Sequence, residues 1–277
     1  VNRTLRLKSI LNNEKVVNLV KDTTTVPSLP EIYLQIEEEA SKPNFSLPKI
    51  ANLISKDPNL AAKVLQIVNS ALFGIQREVT NISFAITYLG VNVIKSLVFY
   101  IQLLSSFKIT KDNRKYLEQI WQHSLIVAST SYRLAQKFFN HKYDIDSAYT
   151  AGVLHDIGKF VLLNTSTYPQ NVITLSEQKF VDNLEAEQEI FECTHAEIGG
   201  YLLGLWGFPH GIVEAVVFHH QPSLLETTDF TLASAIHFAN MLYYLPSIDI
   251  KHIRNTGFER DFLTLIETFK RPKPFNI

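Results

Sequence analysis

Cysteine is almost absent from this chain: Cys193 is the only one among 277 residues. A single thiol excludes an intramolecular disulfide framework and fits a reducing cytosol, so a cytoplasmic location is expected. A surplus of either charge is missing as well. Twenty-six Lys and Arg stand against 27 Asp and Glu, a formal net charge of −1. No global positive field would hold phosphate backbones or an anionic membrane, and nucleic acid is not expected as a partner. Long apolar runs are also lacking. The longest stretch, around Leu97 to Leu104, is broken by Gln102 and is too short to span a bilayer, which argues against membrane insertion. No signal-peptide pattern opens the chain, which begins at Val1 without methionine, as a trimmed chain or a fragment would.

Ten glycines and 11 prolines are few for this length, and they cluster at breaks such as Pro27 to Pro30, Pro43 to Pro48, Asp57-Pro58, Leu89-Gly90 and Gly207 to Pro209. Between the breaks apolar residues recur at three and four, as in Leu60, Val64, Leu65 and Val68, instead of alternating. That is the period of amphipathic helix, and an all-α fold is expected. The chain is long enough to bury a substantial core in one compact unit of two lobes. An N-terminal helical lobe is expected over 1–108 and a second helical lobe over 109–277. The polar run Lys108 to Lys115 is the candidate hinge, and the tail Lys270 to Ile277 is expected to be irregular. Asp57 is placed as a helix cap with Pro58 in the first turn, and Asn69 at that helix's end.

What the sequence does hold is histidine at or inside helical stretches: His123, His155-Asp156, His195 and His219-His220. Imidazole nitrogens and carboxylate oxygens are the ligands of hydrolytic divalent-metal sites, and helices converging in a bundle can bring them together. His123 falls on a long helix from Tyr116 to Phe139. Asp146 or Ser147 is expected to cap the next helix, which carries Lys159 a turn beyond His155 and Asp156. Thr194-His195-Ala196-Glu197 has the form of a capping box, placing His195 first in a helix that runs to about Leu205. Gly199-Gly200 within it implies close packing against a neighbouring backbone. The His219-His220 pair closes a helix from His210, and Thr231 to Tyr244 forms a further helix with His237 and Asn240 one turn apart.

Each of these also has a structural explanation. A lone buried histidine is commonly a hydrogen-bonded core residue, and His219 and His220 near a helix C-terminus complement its dipole. Asp156 amid Leu154, Ile157 and Val161 requires a positive neighbour, which a metal or Lys159 could supply. His141, His210 and His252 read as surface or capping groups, and the acidic run Glu185 to Glu192 as a solvated helix face. The set outweighs its members, since independent core histidines have no reason to come in this order.

The stretch AYTAGVLHDIGKFV, Ala148 to Val161, resembles the core motif of the HD superfamily of metal-dependent phosphohydrolases. More of the chain resembles the HDOD family, bacterial signalling relatives of the HD-GYP phosphodiesterases. The match runs through VPSLPEIY (Val26 to Tyr33), ISKDPNLAAKVLQIVNSALFG (Ile54 to Gly74), AITYLG (Ala85 to Gly90), HAEIGGYLLGLWGFP (His195 to Pro209) and FHHQP (Phe218 to Pro222). It covers about residues 22–222, with a helical extension after it. The resemblance implies an HD-like helical bundle joined to an N-terminal helical lobe, and regulation more often than catalysis.

Carried over residue by residue, the resemblance makes His123, His155 and Asp156 ligands of one metal, and His195 with His219 or His220 the further ligands. The last superfamily ligand is an aspartate on a later helix, where this chain has Asn240. An uncharged amide weakens a site for a divalent ion (iron, manganese or zinc) without abolishing it. The glycine-containing loop of HD-GYP enzymes is absent, since Gln221-Pro222-Ser223-Leu224-Leu225 follows His220. Two functions follow: a regulatory module acting on signalling protein partners, or a phosphohydrolase acting on a small phosphate-containing ligand, with Asp156 and Lys159 as its catalytic residues.

Overall fold

The structure, a computed structural model, describes residues 2–22, 28–106, 111–165, 167–179, 182–227 and 229–244, and all regular structure among them is helical. The first seven helices are α1 (Asn2–Leu11), α2 (Glu14–Asp22), α3 (Glu31–Ala40), α4 (Leu47–Ser55), α5 (Pro58–Val68), α6 (Ile82–Leu89) and α7 (Val91–Ser106). Then come α8 (Lys111–Phe138), α9 (Lys142–Leu154), α10 (Gly158–Leu162), α11 (Gln170–Lys179), α12 (Asn183–Phe191), α13 (His195–Leu205) and α14 (His210–Val217). A 3-10 turn, Pro222–Leu225, precedes α15 (Leu232–Tyr244). The expected tail and His252 lie outside the described residues.

Helices α3 to α7 pack on one another, while α8, α9, α14 and α15 form a bundle flanked by α10 and α13. One hydrophobic core runs through both halves. Helices α1 and α2, although first in the chain, lie against α13. The expected hinge is helix from Lys111 onward, and Lys108 to Thr110 lie outside the described residues.

Local signals explain most boundaries. The Asp57 carboxylate accepts hydrogen bonds from the backbone N–H groups of Asn59 and Leu60 at 2.9 and 3.1 Å. Asn69 clamps the chain after α5 through two bonds to Val79, donating to its carbonyl at 2.9 Å and accepting from its N–H at 2.7 Å. Gly90 ends α6 at φ +89°, a conformation that favours glycine. One expected cap is wrong: α9 begins at Lys142, and Asp146 and Ser147 are buried inside it. Asp146 instead bonds Lys142 one turn back at 2.8 Å and Asn92 of α7 at 3.2 Å. Next along α9, the Thr150 hydroxyl meets that of Ser96 at 2.7 Å. A helix buried all round, as α9 is from Asp146 to Leu154, belongs at the centre of a bundle.

Two missing side chains set the helix spacing around α9. A Cβ on Gly152 would stand 2.7 Å from Cα of Ala128 on α8, and one on Gly158 would overlap the carbonyl of His195 and stand 2.8 Å from the backbone N of Gly199 on α13. Both helices therefore approach the α9–α10 corner more closely than any larger residue allows. Gly158→Ala should destabilise the protein by about 1–3 kcal/mol through overpacking. A shift under about 0.5 kcal/mol in urea unfolding would show that α10 and α13 have room to part. Asp57→Ala should cost on the order of 1 kcal/mol in the same assay, the usual worth of an N-cap.

Candidate metal centre

The α9–α10 corner carries His155 and Asp156, and its neighbours each bring a histidine to them. Close approach at Gly152 sets His123 of α8 beside His155, with Nε2 atoms 3.1 Å apart. Contact at Gly158 sets His195 beside Asp156, its Nε2 3.2 Å from Oδ1. The chain leaving α14 brings His220 Nε2 to within 3.1 Å of His195 Nε2, and the His219 ring lies 5.0 Å from that of His155. Ligand atoms of His123, His155 and Asp156 fall within 4.8 Å of one another, as do those of His195, His219 and His220. Asp156 joins the two sets.

Three of the rings are locked with Nε2 turned inward. Nδ1–H of His155 donates to the Gly152 carbonyl at 2.8 Å, that of His219 to Val216 at 2.6 Å, and that of His195 to the Glu187 carboxylate at 2.6 Å. An imidazole that donates from Nδ1 offers Nε2 as a metal ligand. The donor spacing suits an ion as well, since two ligands about 2.1 Å from one centre at right angles lie about 3.0 Å apart. Several polar atoms are left buried without a hydrogen-bond partner: His123 Nδ1, Asp156 Oδ1, His219 Nε2 and Asn240 Oδ1. Such atoms are rare in folded proteins unless water or an ion completes them. The residues present therefore fit a divalent cation.

Burial dominates the electrostatics. It pushes the His123 imidazole down to about 3 and that of His220 down to about 2, with the neighbouring His195 adding to the latter. His155 and His219 are lowered by the same desolvation. Desolvation also opposes charge on Asp156, but His155, Lys159 and His195 outweigh it and hold the carboxyl well below its usual range. Lys159 sits 2.7 Å from Oδ2, and although burial opposes its charge, Asp156 raises it. His195 is likewise raised, because the Glu187 carboxylate overcomes burial.

Asn240 lies on α15, with its Oδ1 buried and without a partner, and its neighbours on that helix reach the same group. One turn before it, His237 Nδ1 bonds the His219 carbonyl at 2.8 Å, and three residues after it the Tyr243 ring meets His123 edge-on at 4.4 Å. Glu187 was missing from the sequence-based set. The run Glu185 to Glu192 is not a uniform solvated face: Glu187 is fully buried, and Tyr168 donates to it at 3.2 Å. A signal was present, since Ile190 and Phe191, one turn on, mark the apolar face of α12 on which Glu187 falls.

Residues 26–222 match the HDOD domain. The chain is 30% identical over 219 residues to an uncharacterized protein of Treponema pallidum, covering 78% of this chain but only 42% of that relative's length. Its fold is similar to that of an HDOD domain protein of unknown function from Geobacter sulfurreducens, with a TM-score of 0.72 at 22% identity over 94% of this chain and 88% of that one. A candidate phosphohydrolase from Shewanella amazonensis gives 0.71 at 22% identity over 93% and 90%. A candidate signal transduction protein from Marinobacter aquaeolei gives 0.69 at 20% identity over 97% and 63%. No described helix is long and apolar enough to cross a membrane.

The lowered imidazoles make stability depend on pH. Unfolded, they take up protons below their ordinary value of 6.5, whereas folded His123 and His220 resist down to about 3 and about 2. Between those limits the unfolded chain binds more protons, so stability falls as pH falls. His195, raised when folded, works the other way, but it stands alone against four lowered rings. Chelator-treated protein should therefore melt at progressively lower temperature below about pH 6.5. An unchanged melting temperature from about pH 7 to 5 would mean that these rings are not held neutral.

Proposed function

Because the chain belongs to the HDOD family, we propose that it is a cytoplasmic regulatory module of bacterial signal transduction, acting through protein contacts and keeping a weakened divalent-metal site. One observation carries this: Asp156 is the only carboxylate in either ligand set, against five imidazoles, and on α15, the helix from which a further ligand is expected, Asn240 offers an uncharged amide oxygen, buried and without a partner. Neutral imidazoles do not offset the charge of an ion, so affinity and hydrolytic power both suffer. The opening beside His220 agrees. That cavity, about 270 Å³, is walled by Val217, Phe218 and Leu224 with Glu185 and Glu197, and no Lys or Arg lines it. A phosphate group would find no counter-charge there.

The alternative is a metal-dependent phosphohydrolase, and the presence of Lys159 beside Asp156 favours it. When bound, a divalent ion would supply Lewis acidity toward a phosphoryl oxygen. Asp156 and the inward-facing Nε2 atoms would hold that ion, while Lys159 would orient the phosphate. Lys159, however, is already paired with the site's one carboxylate and is mostly buried.

Protein purified without chelator should carry little manganese, iron or zinc and should turn over none of a panel of phosphodiester and nucleotide substrates. Asn240→Asp should tighten manganese binding by about tenfold or more, equivalent to about 1.4 kcal/mol, and Asp156→Ala should weaken it. Equal affinity in the native and Asn240→Asp proteins would remove position 240 from the site. Turnover that disappears with Asp156→Ala would replace the regulatory module with an enzyme.

A further inference from the structure

We propose that Glu187 is the positioning residue of the site, turning the His195 ring so that Nε2 faces Asp156 and His220; its bearing on metal affinity rests on the metal-site proposal above. The need for such a residue follows from helix polarity. His155 and His219 come at the ends of helices, where the carbonyl three residues back is there to accept the Nδ1 proton. His195 is the first residue of α13, and at a helix N-terminus the backbone presents N–H groups instead. No helical carbonyl can orient its ring. Glu187, eight residues earlier on α12, supplies the acceptor from outside.

The contact is more than a helix cap. Thr194 and Glu197 already form a complete capping box for α13. A single oxygen of Glu187, Oε2, accepts both the His195 backbone N–H at 2.8 Å and Nδ1–H at 2.6 Å, so the ring is fixed relative to its own main chain. The other oxygen takes the Tyr168 hydroxyl at 3.2 Å, and that hydroxyl meets Tyr116 at 3.1 Å. Both oxygens are thereby directed. A carboxylate behind a ligating imidazole also makes it a stronger donor. Glu187 thus sends negative charge into the site through His195, where Asn240 contributes none.

The test uses the full chain with Glu187→Ala and Glu187→Gln, read by manganese titration, by nitrogen NMR of the histidine rings in the metal-free protein, and by thermal melting. The native protein should show His195 protonated at Nδ1. Glu187→Ala should weaken manganese binding about 10–100-fold, the range for removing such partners. Glu187→Gln should fall between, since its amide oxygen can still accept the two His195 bonds without the charge. A merely structural residue would lower the melting temperature and leave affinity unchanged. Native affinity in a folded Glu187→Ala protein would overturn the proposal, and should that variant fail to fold, native affinity in Glu187→Gln would do so. If the native protein bound no manganese, the metal site would fail but the positioning would still be decided: a His195 ring with no proton on Nδ1, or one whose Nδ1–H resonance is the same in native and Glu187→Gln proteins, would end it.

Discussion

An aspartate with 1% of its surface in water is the constraint around which the α8–α9–α10–α13 packing is arranged. Asp156 cannot stay ionised there unless its surroundings repay the lost hydration, and they do so from several directions. Lys159 answers from the next turn and His195 from α13, while the neutral rings of His155 and His123, side by side at 3.4 and 3.6 Å from Oδ2, add no positive charge. Even so, Oδ1 makes no well-aligned hydrogen bond, and the compensation is incomplete within the protein alone. Glu187 shows the same logic one shell out, its buried charge held by His195 and Tyr168. Such a network tolerates little rearrangement, because each group justifies the burial of the next.

Backbone spacing makes the network possible. Helices seldom touch main chain to main chain, yet α8 and α13 do so on the two flanks of the α9–α10 corner, at Gly152 and Gly158. The imidazoles of His123 and His195 reach the corner for that reason. Longer side chains at the same positions would have to span the gap that a Cβ opens. The histidine cluster is therefore as much a product of two absent methyl groups as of the histidines.

Features written in short stretches of chain were legible without the structure. The helical period, the Asp57 cap, the Thr194–Glu197 capping box and the Asn69 bonds all depend on neighbours a few residues away, or on one nearby loop. That His123, His155, Asp156, His195, His219 and His220 come together was legible through their order and through likeness to HDOD proteins. What escaped was burial decided at long range. Asp146 looked like a helix cap, since an Asp-Ser pair before an apolar run is the usual cap pattern, but its partner Asn92 is 54 residues away on another helix. Glu187 looked solvated because four of the eight residues from Glu185 to Glu192 are glutamates, and only the packing of α12 separates the buried one from the rest.

Helix α9 has a mechanical consequence. One end is fastened to α7 through Asn92–Asp146 and Ser96–Thr150, and the other runs straight into His155 and Asp156. From Asp146 to His155 is a rod of roughly 14 Å at the helical rise. It is buried along most of that length, so it cannot bend locally to absorb a displacement. A slide or tilt of α7 against it would alter the spacing of His155 from rings carried on other helices. The geometry of the ligand cluster is thereby tied, through one helix, to the contacts that α9 makes with α7.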